Sequence, residues 1–390
     1  MTAIASQPTH VRPRLPRVVS GRSAGLLLAN AGIFIYLSVA TTDYLTRQNI
    51  INLLFQMTPI AIAGLGTALL IITGFVDLSI GSIFGLAAVS SAMLSSVVNP
   101  WLAIALGVVI AAACGFINGV LVWRIRISPI IITLGSLIVI AAIVDLLTQG
   151  EAVANVPNAY GALGQAQPFG IPSAVYIMVG GALIVGVILA KTTLGLHIYA
   201  IGGNREAADT AGLAVRRIVL AIFFFNGAVA GLAGVLTASR FGTADPTYGV
   251  NFELSVITAV VLGGIAFSGG EGSIFGALLG VVFVTLINSG VVAIGINAYY
   301  GTMVQGIALI VAVGLDQAVI EQRERHRRAI AMREQLRADP ATEETLATAM
   351  LTRPPAAVSL SPTAAAELNG PATTGERSGP TSLAGDATPA

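Results

Sequence analysis

Residues able to carry out catalysis are few in this sequence and badly spaced for it. The three histidines, His10, His197 and His326, stand neither at metal-ligand spacing nor beside a nucleophile. The single cysteine, Cys114, lies inside an apolar run, which excludes an intrachain disulfide framework and a cysteine-based metal cluster. The one Gly-x-Ser-x-Gly, Gly21-Arg22-Ser23-Ala24-Gly25, has no histidine near it in sequence and opens an apolar run. The one lysine, Lys191, follows alanine, so there is no phosphate-cradling Gly-x-x-x-x-Gly-Lys-[Ser/Thr] loop. No catalytic residue, metal site or cofactor is therefore expected, and the usual P-loop route to ATP hydrolysis is closed. If the work of this chain is driven by ATP, another chain supplies the motor.

The chemistry that remains is hydrogen bonding. Gln56, Asn118, Asn226, Asn288 and Gln305 lie within apolar runs, where an amide either bonds a polar solute or ties neighbouring helices together. Asp77 is the most informative acid, in Thr73-Gly74-Phe75-Val76-Asp77-Leu78-Ser79-Ile80-Gly81. With Ser79 it has the composition to cap a helix beginning near Ile80. An ionisable group at membrane depth also defaults to a functional hypothesis, so capping and contact with a solute or gate both stay open. Asp145 and Glu253 are expected at the outer ends of their segments, at the water interface. Neutral polar groups and almost no charge in the apolar runs suit an uncharged polar solute better than an ion.

These residues need elements to hold them, and composition says which kind. Hydrophobic residues make up 55% of the chain and charged ones 10%, with a mean hydropathy of +0.84, whereas soluble domains carry roughly 25% charge. The fold class is all-α, a polytopic membrane protein. Crossing roughly 30 Å of hydrocarbon takes about 20 helical residues. The runs long enough lie at about 24–41, 50–73, 78–97, 101–123, 128–148, 172–190, 218–238, 252–268, 273–296 and 300–319. About ten transmembrane helices follow. With the N-terminus inside, only Arg47 and Arg240 of the 20 Lys+Arg residues fall outside, as positive charge in short loops requires. Both termini are then cytoplasmic. A formal net charge of +1 gives no reason to expect a nucleic-acid partner.

Outside the spans, 1–22 forms a basic N-terminal segment, 321–351 a charged helical extension, and 352–390 a Pro-, Ala-, Thr-, Ser- and Gly-rich tail expected to be disordered. The body of the protein is 23–320. Glycines four apart recur at Gly81/Gly85, Gly115/Gly119, Gly227/Gly231 and Gly272/Gly276/Gly280, spacing that lets helix backbones approach where lipid gives no hydrophobic drive to pack. Gly-Ser-Ile-Phe-Gly occurs at 81–85 and again at 272–276, a hint of an internal repeat.

The charged island at 192–217 stands apart from all this. Asn204 is a good N-cap, Glu206 falls in a first turn where the helix dipole favours acid, and Gly212 is a natural stop. Arg205, Glu206, Ala207, Ala208, Asp209 and Ala211 combine small side chains with a charged rim. That is what a docking helix needs, and a solvated loop has a similar composition.

Three passages, TGFVDLSIGSIFG at 73–85, SPIIITLGSL at 128–137 and TLGLHIYAIGGNREAADTAGLAVRRI at 193–218, resemble the permease subunit of bacterial ABC-type importers for monosaccharides, the ribose, xylose and arabinose group. The resemblance covers roughly 24–320 and includes VLGGIAFSGGEGSIFGALLG at 261–280. It implies a bacterial inner-membrane permease dimer, an extracytoplasmic sugar-binding protein, and a cytoplasmic ABC ATPase seated on a coupling helix around Gly203 to Gly212. Asp77, Ser79, Asn118, Asn226 and Asn288 are then pathway or gating candidates. Alternatives are a related permease for a nucleoside, polyol or branched-chain amino acid, and a stand-alone secondary transporter or channel.

Overall fold

The computed structural model describes residues 21–338. The expected basic segment 1–22, except for its last two residues, and the expected tail 352–390 lie outside that range. So does the part of the 321–351 extension beyond Ala338. The chain divides after Ile320, and the functional features below all belong to the first unit.

In order, the helices are α1 (Gly21–Ala40), α2 (Arg47–Ile72), α3 (Ile80–Leu94), α4 (Pro100–Ile125), α5 (Pro129–Thr148), α6 (Asn158–Gln165), α7 (Ser173–Lys191), α8 (Thr193–Gly203), α9 (Arg205–Thr210), α10 (Val215–Phe241), α11 (Phe252–Leu262), α12 (Ile274–Ala293) and α13 (Tyr299–Ala338). Eight contain a stretch long and apolar enough to cross a membrane: α1, α2, α4, α5, α7, α10, α12 and the first part of α13. Large apolar side chains such as Leu28, Val39, Ile138 and Leu183 stand exposed on α1, α5 and α7, as a surface facing hydrocarbon requires.

Two of the ten apolar runs, 78–97 and 252–268, form shorter helices than their hydropathy suggests, α3 and α11. The cause is local. Gly74 takes φ +81°, its N–H donates to the Ile71 carbonyl, and the Phe75 N–H donates to the Leu70 carbonyl. This pair of bonds is the Schellman stop, and it makes 73–79 a non-helical linker. α11 stops in the same way at Gly264, with φ +91°, where Gly264 and Ile265 donate to Val261 and Val260. The two copies of Gly-Ser-Ile-Phe-Gly follow these stops, one at the opening of α3 and one at the opening of α12. The repeated unit is thus a glycine-stopped helix, an irregular linker and a new helix.

Irregular backbone at membrane depth is tolerated only inside protein or beside a cavity. Both linkers meet that condition, because they pack on each other: Gly269 lies against Gly74, and the Gly270 N–H donates at 2.8 Å to the carbonyl of Ile72, the last residue of α2. The entry to α11 is also folded inward. After α10 the 3-10 turn Pro246–Gly249 packs Gly249 against Gly81 and Gly85 of α3, so α11 begins inside the bundle. Its 11 residues cover only about 16 Å at 1.5 Å per residue, half a crossing.

α10 is the central helix, packed against α2, α3, α4 and α6. Gly227 on α10 and Gly115 on α4 lie so close that a Cβ on either would strike the other helix's backbone. Contact by shape, not by apolar drive, holds this bundle together.

Candidate functional site

Asp77 sits at the centre of a buried polar knot. Its Oδ1 accepts from the Ser79 backbone N–H at 2.9 Å and from the Ser79 hydroxyl at 2.6 Å. Its Oδ2 accepts from Asn226 Nδ2 at 3.0 Å. Asn118 Nδ2 donates to Ser79 Oγ at 2.7 Å, and the Ser136 hydroxyl donates to Asn118 Oδ1 at 2.6 Å. Thr133 Oγ1 on α5 accepts the Leu78 N–H at 3.1 Å. One linker is thereby tied to α4, α5 and α10. Asp77, Ser79, Asn118 and Asn226 are each at most 2% exposed, and Asn118, Ser136 and Asn226 lie roughly 10 to 16 Å from the inner ends of their helices at 1.5 Å per residue.

Two expectations change here. Ser79 occupies the N-cap position of α3, but no side-chain capping bond forms; its hydroxyl is turned to Asp77 instead. Glu253 is only 8% exposed, with its carboxylate packed against Gly81, because the inward fold of 246–251 carries the start of α11 away from the interface. Asp145 is exposed.

The island at 192–217 is two helices. α8 packs on the bundle, with Gly202 against the Ile72 carbonyl and the Tyr199 hydroxyl donating to the Gly272 carbonyl at 2.8 Å. α9 follows, with Asn204 Oδ1 accepting the Ala207 N–H at 2.9 Å and Glu206 in its first turn. It ends at Gly212, φ +82°, in a third Schellman stop. Ala208 is buried, while Glu206, Ala207 and Asp209 are exposed. The Arg205 guanidinium lies over two rings, 4.8 Å from the Trp123 centroid and 5.3 Å from that of Phe75. Phe75 in turn meets Phe223 of α10 edge to face. The island thus touches both irregular linkers: one through Ile72 and Phe75, the other through Gly272.

Asn288 lies apart from the knot. It lines a cleft of about 490 Å³ between α2, the start of α11, α12 and α13, together with Gln56, Asn251, Ser255, Thr302 and Gln305. Gln305 Nε2 donates to Asn288 Oδ1 at 2.6 Å, and the Ser255 hydroxyl donates to Gln305 Oε1 at 2.9 Å. The amides that looked equivalent in sequence therefore fall into two groups. Asn118 and Asn226 bond helices within the buried knot, whereas Asn288 and Gln305 bond α11, α12 and α13 together and, with Gln56, also border open space.

The family model described as the permease component of a branched-chain amino acid transport system matches residues 49–313. The ribose import permease protein RbsC of Bacillus subtilis is 38% identical over 288 residues, 73% of this chain and 89% of that protein. RbsC of Escherichia coli K12 is 34% identical over 74% of this chain and 92% of its own length. The L-arabinose ABC transporter permease protein AraH of Azospirillum brasilense is 35% identical, covering 77% and 89% respectively. No solved structure matches the chain.

Proposed function

This chain belongs to that transport-permease family, within its group of sugar importer permeases, and from this premise we propose that it forms the membrane pathway of an ATP-driven monosaccharide importer. It is a multi-pass protein of the bacterial inner membrane. The solute class is supported by relatives that carry ribose and arabinose in their names. A free amino acid brings two charges, and no Asp, Glu, Lys, Arg or His lines the cleft. That favours a sugar over the amino acids in the family description.

In this reading the pathway is shared with a second copy of the chain, sugar arrives on an extracytoplasmic sugar-binding protein, and a cytoplasmic ABC ATPase docks on α9. The observation that carries the coupling is α9 itself: a short capped helix with exposed Glu206, Ala207 and Asp209, braced on the 73–79 linker through Arg205 and joined through α8 to the second linker. Gly203, Asn204, Ala208 and Gly212 shape and seat it. Arg205, itself exposed, serves as an anchor by laying its guanidinium over Phe75 and Trp123. An ATPase that binds α9 differently with and without ATP shifts the equilibrium of whatever α9 is fixed to. The knot of Asp77, Ser79, Asn118 and Asn226 belongs to that moving joint, whereas Asn288 faces the solute.

Charge reversal at the docking rim provides the test. Glu206→Lys is expected to lower both ATPase retention on the purified chain and sugar uptake by about tenfold or more, since like-charge juxtaposition across an interface costs several kcal/mol. Gly212→Val, which forces a side chain into positive φ, is expected to do the same by displacing the end of α9. Wild-type retention and uptake in both variants would remove α9 from the coupling role.

A further inference from the structure

The cleft beside Asn288 has properties that helix packing does not explain. Gln56 is exposed to it although it lies roughly 14 Å along α2 from the Arg47 end, at 1.5 Å per residue. Among the described residues its amide has no hydrogen-bond partner, and such a group facing lipid at that depth would be costly. Asn288 and Gln305 sit roughly 8 to 9 Å from the outer ends of α12 and α13 on the same scale, so the amides fall within about one helical turn of each other in depth. At that level the backbone is broken: Asn251, at φ +60°, precedes α11, which starts there in the bundle interior. Interrupted helices beside a cavity are where transporters hold their solutes.

We infer that this cleft is where the solute is held within the membrane subunit, and that it takes an uncharged polyhydroxylated solute of monosaccharide size. The inference rests on the import reading above and adds the site. The volume of about 490 Å³ falls in the range of roughly 300–1,000 Å³ usual for small-molecule sites. Four amides and two hydroxyls, from Gln56, Asn251, Asn288, Gln305, Ser255 and Thr302, offer both donors and acceptors, which matches hydroxyl groups that also do both. The bond from Ser255 to Gln305 and on to Asn288 fixes the Gln305 and Asn288 amides, and Asn288 Nδ2 has no bond among the described residues. Val292 and Leu309 on the same wall face the C–H surface of such a ring.

The test uses the full-length chain with its ATPase and binding protein in vesicles, supplied with ribose, arabinose and allose in turn. Gln56→Leu is expected to lower uptake of the transported sugar by about tenfold, from the loss of its hydrogen bonds to the solute, with ATPase retention and melting temperature unchanged because Gln56 makes no hydrogen bond among the described residues. Gln56→Asn should recover part of the rate. Separately, Gln56→Cys in a Cys114→Ala background is expected to react with a membrane-impermeant thiol reagent applied from the outer side. Uptake within twofold of wild type for Gln56→Leu overturns the site, as does absence of labelling in the folded Gln56→Cys protein. Labelling needs neither ATP nor a correct sugar. A wild-type complex that takes up none of the three sugars therefore counts against the import reading, while the labelling result still judges the cleft.

Discussion

Asp77→Leu is expected to leave little folded protein. Leucine keeps the approximate volume but removes the acceptors for the Ser79 N–H, the Ser79 hydroxyl and Asn226 Nδ2. All of these groups are buried, and each buried donor left unmatched costs about 1–3 kcal/mol. The sum is a large part of a stability that is typically about 5–15 kcal/mol. The damage is also not confined to one helix, because Ser79 carries Asn118, and through it Ser136 of α5. Asp77→Asn keeps an acceptor for Ser79 and brings its own amide up to that of Asn226, so it should fall between leucine and wild type. Thermal melting of the detergent-solubilised protein checks the series. A leucine variant as stable as wild type would show that the knot is not what holds the 73–79 linker.

The second large effect is expected at the seam between the α8–α9 island and the bundle. Gly202→Val places a side chain on the Ile72 carbonyl and beside the Gly270 N–H, the two groups that pair the linkers. Backbone cannot yield there as a flexible side chain would, and overpacking of about 1–3 kcal/mol or more results, together with loss of the Gly270–Ile72 bond. The island would be pushed off its seat. Gly203, the next residue, has open space where its Cβ would go, so Gly203→Ala should melt at or slightly above the wild-type temperature. The contrast between neighbours separates steric wedging from a general intolerance of substitution in α8. Equal melting temperatures for Gly202→Val and Gly203→Ala would contradict the close seam.

Much of the fold is written in local patterns. Long apolar runs mark the spans, Asn204 and Gly212 mark the ends of α9, and the glycine pairs at 115/119 and 227/231 meet across α4 and α10. What is not legible depends on distance or on backbone alone. α11 reads as a full span because Ile265 and Ala266 continue the apolar run through a linker that only a glycine at positive φ has released from helix, while α3 falls short because Ser95, Ser96 and Val97 at the end of its run form a turn. α8 is obscured by its three glycines, which do not disclose that Gly202 is there to meet Ile72. Glu253 looks interfacial by position along the run, and only the approach of Gly81 and Gly249 shows it buried. The amides are the plainest case. Asn226 and Asn288 have the same side chain in similar surroundings, and what separates them is an acid 149 positions away from Asn226.

In the proposed function the chain opens a pathway that a partner ATPase powers. The most direct test is uptake of ribose, arabinose and allose into vesicles holding this chain alone, or with the cytoplasmic ATPase and binding protein, each with and without ATP. Uptake of one of the sugars is expected only with all partners and ATP present, and it should be lost in Glu206→Lys. Sugar uptake by the chain alone, without ATP, would contradict the account and make it a self-sufficient transporter.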